Sequence, residues 1–179
     1  MPDSALLPPF AAALLVHGII GGTDVLLNHE LIAKLPSLPN AGAEQGLHCA
    51  RELVFAVIFI ALAWWEPGGV FSWAIAALFL AELIVSTVDT VLEVKIRVLP
   101  VSERILHVLL FVNLGIVMTL LAQVLPGWAA RDSGLRFVHY GWASWVLSAM
   151  AGASLLWSLR DGINVLKRRR RSVVLAAAP

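Results

Sequence analysis

Acidic residues and histidines recur at same-face helical spacings within a strongly hydrophobic chain. At about 100° per residue, positions seven apart return to within about 20° of each other, and positions four apart to within about 40°. Four polar stripes follow from this rule: His17 with Asp24; Glu44, His48 and Glu52; Glu82, Asp89 and Glu93; and Glu103 with His107. Imidazoles and carboxylates inside a helical bundle are the groups of a metal site or a proton relay.

The balance of charge in these stripes favours a metal. The carboxylates outnumber the nearby Arg51, Arg97 and Arg104, and a bound cation relieves the repulsion between like charges. Mixed carboxylate and imidazole ligands suit iron, manganese or zinc, whereas calcium and magnesium prefer oxygen alone. We therefore predict a dinuclear site that holds two iron ions, with manganese or zinc as alternatives. The predicted ligands are Asp24, His29, Glu44, His48, Asp89, Glu93, Glu103 and His107, and the predicted catalytic carboxylates are Glu52 and Glu82.

Each of these residues also has a purely structural explanation. Acidic residues such as Glu44 and Glu103 are favoured near helix amino termini, and a buried histidine such as His48 is often simply hydrogen-bonded. The occurrence of the same Glu and His pair twice, as Glu44 with His48 and as Glu103 with His107, is harder to explain in this way. The Glu and His residues of each pair are four apart, whereas dinuclear carboxylate bundles use a spacing of three, so their detailed geometry does not transfer.

A weak internal repeat, offset by about 60 to 65 residues, relates the stripes to one another. His17 and Asp24 in the first copy correspond to Glu82 and Asp89 in the second. In both copies the helix continues to a Leu-Pro pair, and the next helix opens with the pattern Glu-x-x-Leu-His. Both hairpins run in the same direction, which predicts a parallel repeat about an axis along the membrane normal.

The elements that must position these residues are transmembrane helices. With 59% hydrophobic and 14% charged residues, the composition excludes an ordinary water-soluble fold. Five apolar stretches are long enough to cross a bilayer core, which takes roughly 20 helical residues; they lie near 5–26, 46–65, 69–90, 105–126 and 138–159.

The predicted fold is an all-α integral membrane protein. Residues 1–130 would form a four-helix bundle from two hairpins, 5–65 and 69–126, and residues 137–171 a fifth transmembrane helix with a basic cytoplasmic tail. The short loops favour antiparallel neighbours within each hairpin. The fifth helix has no counterpart in the repeat and is expected to cover one side of the bundle or to mediate contacts.

Charge predicts the orientation. With the amino terminus outside and the carboxyl terminus in the cytoplasm, eleven of the thirteen Lys and Arg residues lie inside, as the positive-inside rule requires. Six of the seven tryptophans then fall at the outer interface, which amphipathic rings prefer. Composition favours a bacterial inner (cytoplasmic) membrane. Asp3 near the start argues against a signal peptide, and Cys49, as the lone cysteine, allows no internal disulfide.

Four segments carry a resemblance to a known family: LNHELIAKLP, EQGLHCARE, AELIVSTVDTVLE and LPVSERILH. They resemble a family of small bacterial multi-pass membrane proteins of uncharacterised function. Similar segments also occur fused to an epimerase-like short-chain dehydrogenase domain. The resemblance covers about half of the chain and implies no established activity.

The leading functional prediction is a membrane metalloprotein that oxidises or hydroxylates a lipid-soluble substrate with electrons from a redox partner. A zinc hydrolase acting on a lipid ester or amide is the second, with Glu52 as base. A b-type haem protein would use pairs of histidines as axial ligands, whereas a proton or ion carrier would depend on His17 and Glu82. A structural accessory subunit would dock through the fifth helix. Nucleic acid is not an expected partner, because the Arg cluster after the last helix is typical of a topology anchor.

Overall fold

The computed structural model describes residues 6–38 and 40–176, without the side chains of 171–176. Asp3, which entered the predictions above, lies outside these residues, as do Pro39 of the short loop before the second predicted helix and the side chain of Arg171 in the basic tail.

Over the described residues the chain is helical, with five long helices. They are α1 (Pro9–Asp24), α2 (Gly42–Trp64), α3 (Val70–Ile96), α4 (Val101–Ala129) and α5 (Trp142–Ala176). A π-helical segment, Val25–Ile32, continues α1, and a 3-10 turn follows at Leu35–Ser37. Five spans are long and apolar enough to cross a membrane: Pro9–Ile32, Gly42–Trp64, Val70–Ile96, Val101–Ala129 and Trp142–Arg170. The prediction of an all-helical, multi-pass chain is confirmed at this level.

The helices extend beyond the predicted spans at the end where the polar stripes meet. The first span runs to Ile32 and α3 to Ile96, while α2 begins at Gly42 and α4 at Val101. Hydropathy underestimates these ends because they contain charged residues. The carboxylates among them, Glu44, Glu93 and Glu103, are buried rather than solvated, so the helices continue through them.

The distribution of side chains is that of a protein in lipid. Many large aliphatic residues on the helix surfaces are exposed, among them Ile84, Val88 and Val91 on α3. The buried face of the same helix reads Ser72, Ile75, Phe79, Glu82, Ser86, Asp89 and Glu93. This alternation of three and four residues makes one stripe, and its polar part faces the protein interior, as the cost of ionisable groups in lipid requires.

A short antiparallel ribbon, not predicted from the sequence, joins two loops at the opposite end. Strand β1 (Trp65–Gly68) pairs with β2 (Gly134–Phe137), with Glu66 opposite Arg136. Glu66 accepts hydrogen bonds from Arg131 and Arg136, each at 2.8 Å. The ribbon therefore ties the start of α3 to the segment that precedes α5. We call this the ribbon end of the molecule, and the opposite one the polar end.

Helix contacts cross between the two halves of the chain. Among the described elements, α2 and α5 make the most extensive contact, followed by α1 with α4 and α2 with α3. The contact between α1 and α2 is small. The predicted neighbours within each hairpin do contact each other, α3 with α4 and α1 with α2, but less extensively than α1 contacts α4 or α2 contacts α3. Helix α5 packs along α2 and, less extensively, against α1.

Candidate metal centre

Two carboxylates and two imidazoles converge at the polar end. Asp24, His29, Glu103 and His107 are all buried, and each offers a donor atom within 4.8 Å of the others. Asp24 Oδ2 lies 3.1 Å from His107 Nε2, and Glu103 Oε1 lies 3.1 Å from His29 Nε2. These are ligand types for iron, manganese or zinc. We call this group the four-residue cluster.

The π segment places His29 in the cluster. Five residues of α-helix would turn His29 about 140° away from Asp24. Hydrogen bonds between residues five apart, such as Ala33 N–H to Asn28 O at 2.7 Å, widen the turn and bring His29 back to the same side. Asn28 also faces inward, where its amide donates to Asp24 Oδ1 at 2.7 Å. One helix end thus supplies two potential metal ligands, Asp24 and His29, and Asn28, whose hydrogen bond orients Asp24.

Helix α4 supplies the other half of the cluster from its first two turns. Glu103 and His107 are four residues apart and share a buried face. The second ring nitrogen of His107, Nδ1, lies 3.0 Å from Glu93 Oε1. A carboxylate on the far nitrogen of a histidine fixes the ring and makes it a better ligand. In addition, Ser102 donates to Asn28 Oδ1 at 2.6 Å and so links α4 to the π segment.

A second imidazole–carboxylate pair lies beside the cluster. His48 Nε2 is 3.0 Å from Asp89 Oδ2, and the His48 ring stacks on that of His29 with centroids 4.3 Å apart. Asp89 is also held by Arg51 Nη1 at 3.3 Å. The pairing of Asp89 on α3 with His48 on α2 parallels that of Asp24 on α1 with His107 on α4.

Arg97, in the loop between α3 and α4, neutralises two of the predicted ligands. Its guanidinium donates to both oxygens of Glu103, at 2.7 and 2.6 Å, and to Glu44 Oε1 at 2.7 Å. Although burial acts in the opposite direction, these hydrogen bonds to Glu103 and Glu44 raise the pKa of Arg97 above its ordinary value. Arg97 is therefore a permanent cation, and Glu44 pairs with it rather than joining the four-residue cluster.

The polar end carries an excess of buried negative charge. Among the described residues, the buried carboxylates around the four-residue cluster belong to Asp24, Glu44, Asp89, Glu93 and Glu103, with Asp161 nearby on α5. Arg51 and Arg97 pair with members of the first group, and Arg160 pairs with Asp161. Asp89 Oδ1 and Glu93 Oε2 have no hydrogen-bond partner within this part of the chain. Protonated histidines or a bound cation would balance the excess.

A cavity of about 200 Å³ adjoins the cluster, and residues of each described helix line it. Most of its wall is apolar, and His107 belongs both to the wall and to the cluster. The two predicted catalytic residues, Glu52 and Glu82, line this cavity and lie outside the cluster. A molecule in the cavity would therefore sit next to a cluster ligand.

No family model, curated protein or solved structure matches this chain. Its function must be inferred from the site itself.

Several residues of the site were not predicted. Asn28 lies four residues after Asp24, a same-face spacing that could have revealed it. Ser102 has no such signal, because its partner Asn28 is 74 residues away. Trp157, the one tryptophan not assigned to the outer interface, lies on α5 and lines the cavity. Beside it, Arg160 bridges Glu30 and the buried Asp161.

Proposed function

We propose that this protein is a membrane metalloprotein that binds iron at the four-residue cluster and oxidises or hydroxylates a lipid-soluble substrate in the adjoining cavity. One observation carries the proposal: two imidazoles and two carboxylates converge at the wall of an apolar cavity, and His107 is common to both.

Iron is the first choice because two histidines with one carboxylate, leaving open positions, are typical of oxygen-activating iron sites. Asp24, His29 and His107 would supply that set, and Glu103 a further carboxylate. In the dinuclear form, His48 and Asp89 would hold the second ion, and the His29–His48 stacking supports their proximity. Arg51 would then have to leave Asp89. Manganese or zinc would use the same donors.

Hydroxylation needs a source of electrons. Inserting one oxygen atom of O₂ into a C–H bond and reducing the other to water consumes two electrons and two protons. The proposal therefore includes a redox partner protein, because the sequence contains no flavin or nicotinamide fingerprint. The chain's own contribution is to hold the ion, to orient His107 through Glu93, and to exclude water from the cavity.

The site belongs, in this proposal, at the cytoplasmic side of a bacterial inner membrane. The positive-inside rule favours that orientation because most Lys and Arg residues lie towards the polar end. The parallel repeat and the family resemblance are part of the same proposal. The equivalent pairs Asp24–His107 and Asp89–His48 support a pseudo-twofold relation between the halves.

A proton or cation carrier is the second candidate. Buried ionisable groups extend from Glu82 in the cavity through Arg51 to the Asp89–His48 pair. Intramembrane residues of this kind often relay protons or cations. If the protein is a carrier, it should transport protons or cations, and Glu82→Gln should abolish that transport. The unchanged protein should then contain no bound metal.

Metal analysis of the purified protein in detergent, together with its visible spectrum, tests the first proposal. The unchanged protein is expected to bind iron in stoichiometric amount, and His29→Ala/His107→Ala to lose it. His139→Ala is the matched control, because His139 stacks on Trp64 at the ribbon end. Stoichiometric zinc without a visible spectrum would favour the zinc hydrolase. A Soret band would favour the haem protein. Absence of metal after expression in supplemented medium would contradict the proposal.

The oxidative step is tested in membranes. Lipid extracts of cells that express the unchanged protein are compared by mass spectrometry with extracts of cells that express the double variant. We expect a species that has gained one oxygen or lost two hydrogens only with the unchanged protein and with His139→Ala. Identical extracts in the presence of a functional electron donor would argue against oxidation.

A further inference from the structure

The cavity contains polar groups that the metal chemistry does not use. Among its otherwise mostly apolar lining are His17, Glu52 and Glu82, and they are 5%, 8% and 1% exposed. Polar groups placed within an apolar pocket commonly fix the orientation of a ligand.

The hydrogen bonds of Asn113 identify which nitrogen of His17 carries the proton. Asn113 Nδ2 donates to the carbonyl oxygen of Ala13 at 3.0 Å; since a carbonyl only accepts, this atom must be the amide nitrogen. The same nitrogen lies 3.2 Å from His17 Nδ1, which must accept its second hydrogen. His17 is therefore neutral with its proton on Nε2. Its Nε2–H group is thus a hydrogen-bond donor. The His17 ring packs against the Phe55 ring, with centroids 4.6 Å apart.

The two carboxylates offer acceptors. Glu82 Oε1 accepts a hydrogen bond from Ser86 at 2.6 Å, but Glu82 Oε2 has no partner within the described residues, and neither has Glu52 Oε2. A buried acceptor without a partner costs about 1 to 3 kcal/mol. A donor brought by a bound molecule would remove that cost.

We propose that the cavity binds a lipophilic alcohol or phenol. A hydroxyl group both donates and accepts, so it matches the carboxylates and the His17 Nε2–H, while the apolar wall takes the hydrocarbon part. A hydrocarbon without a hydroxyl group would leave these polar groups unpaired. This inference rests on the proposed function only in taking the bound molecule as the substrate, since binding itself needs no metal.

Binding of 4-octylphenol and of octylbenzene to the chelator-treated, full-length protein in nanodiscs tests the inference. The two probes differ by one hydroxyl group, and the fluorescence of Trp157, which lines the cavity, reports binding; Trp157→Phe identifies its signal. We expect the phenol to bind at least about tenfold more tightly. Equal affinities, or no binding of the phenol, would overturn the proposal whatever the metal content of the protein.

Variants then locate the hydroxyl group. Glu82→Gln keeps the shape of the side chain and replaces one carboxylate oxygen by an amide NH₂ group, so the phenol should bind about tenfold more weakly while octylbenzene binding stays unchanged. Glu66→Gln, at the ribbon end, is the matched control and should alter neither affinity. Unchanged phenol affinity in both Glu82→Gln and His17→Phe would overturn the assignment, and the probe comparison on the unchanged protein stands even if a variant fails to fold.

Discussion

At the scale of single residues, most of the charged side chains at the polar end are paired across helices. His107 lies between Asp24 and Glu93, with its two nitrogens 3.1 and 3.0 Å from their oxygens. Arg97 lies between Glu44 and Glu103. A buried charge is tolerated when it has a partner of opposite charge. Removing one partner therefore leaves the other as a buried, unpaired charge, and the resulting loss can be measured.

Replacing Glu93 with Gln should weaken metal binding. The substitution keeps the shape of the side chain but removes the negative charge that makes His107 a stronger ligand. We expect metal affinity to fall about tenfold to a hundredfold, measured by titration against a competing chelator. Glu66→Gln, which removes a carboxylate at the ribbon end, should leave the affinity unchanged. Equal affinities for the two variants would contradict the role of Glu93.

Arg97→Leu should destabilise the metal-free protein. Glu44 and Glu103 are both fully buried and would lose their shared cation. Breaking a buried ion pair from one side costs about 3 to 5 kcal/mol, which SDS titration in mixed micelles would measure. Arg131→Leu disrupts the more exposed pair with Glu66 and should cost no more than about 1 kcal/mol. A loss for Arg97→Leu as small as that for Arg131→Leu would contradict the bridging role.

At the scale of elements, close packing between α2 and α5 holds one wall of the cavity in place. The hydroxyl of Ser158 on α5 donates to the backbone oxygen of Cys49 on α2 at 2.8 Å. A Cβ added at Gly162 would lie 3.2 Å from the Cys49 sulfur. Glycine at this position lets the two helices approach, as small residues do in membrane bundles.

Gly162→Val should therefore destabilise the protein by about 1 to 3 kcal/mol through overpacking. Gly152→Val is the matched control, because it makes the same change in the same helix where no atom lies within 4 Å of the new Cβ. SDS unfolding of both variants gives the comparison. Equal stability of the two would mean that α5 is not packed on α2 as described.

The helices and their polar stripes follow from hydropathy and spacing, whereas the pairing between them does not. Spacing places Glu103 and His107 on one face, but no local pattern indicates that Asp24 pairs with His107, 83 residues away. His29 faces the cluster only because the chain leaves α-helical geometry after Asp24, and such a change has no reliable sequence signal. The ribbon joins two strands of four residues each, which are too short for their alternation of polar and apolar residues to indicate a strand.

At the scale of the whole molecule, the two ends differ in chemistry. The ribbon end carries the aromatic contacts of Trp64 with Phe137, His139 and Trp145. The polar end carries the buried carboxylates, and Arg168 near the end of α5 donates to the backbone oxygens of Leu38 and Pro36 there. This asymmetry fits a protein inserted in one direction.

The proposed orientation predicts which loops can be labelled from outside the cell. In a Cys49→Ser background, Ser133→Cys near the ribbon and Ser37→Cys in the loop before α2 each introduce an exposed thiol. An impermeant maleimide should label intact cells only at position 133, and both positions after lysis. Labelling of position 37 in intact cells would contradict the proposed orientation and indicate the opposite one.

X-ray absorption at the K-edge of the bound metal tests the central claim most directly. We predict a first coordination shell of oxygen and nitrogen only, with outer scattering from two imidazoles per ion in the four-residue cluster. That imidazole scattering should persist in His139→Ala, whereas His29→Ala/His107→Ala should lose the metal, and any metal that it retains in supplemented medium should show no such scattering. A metal without imidazole scattering, or one whose spectrum is the same in the double variant, would show that these four residues do not form the metal site.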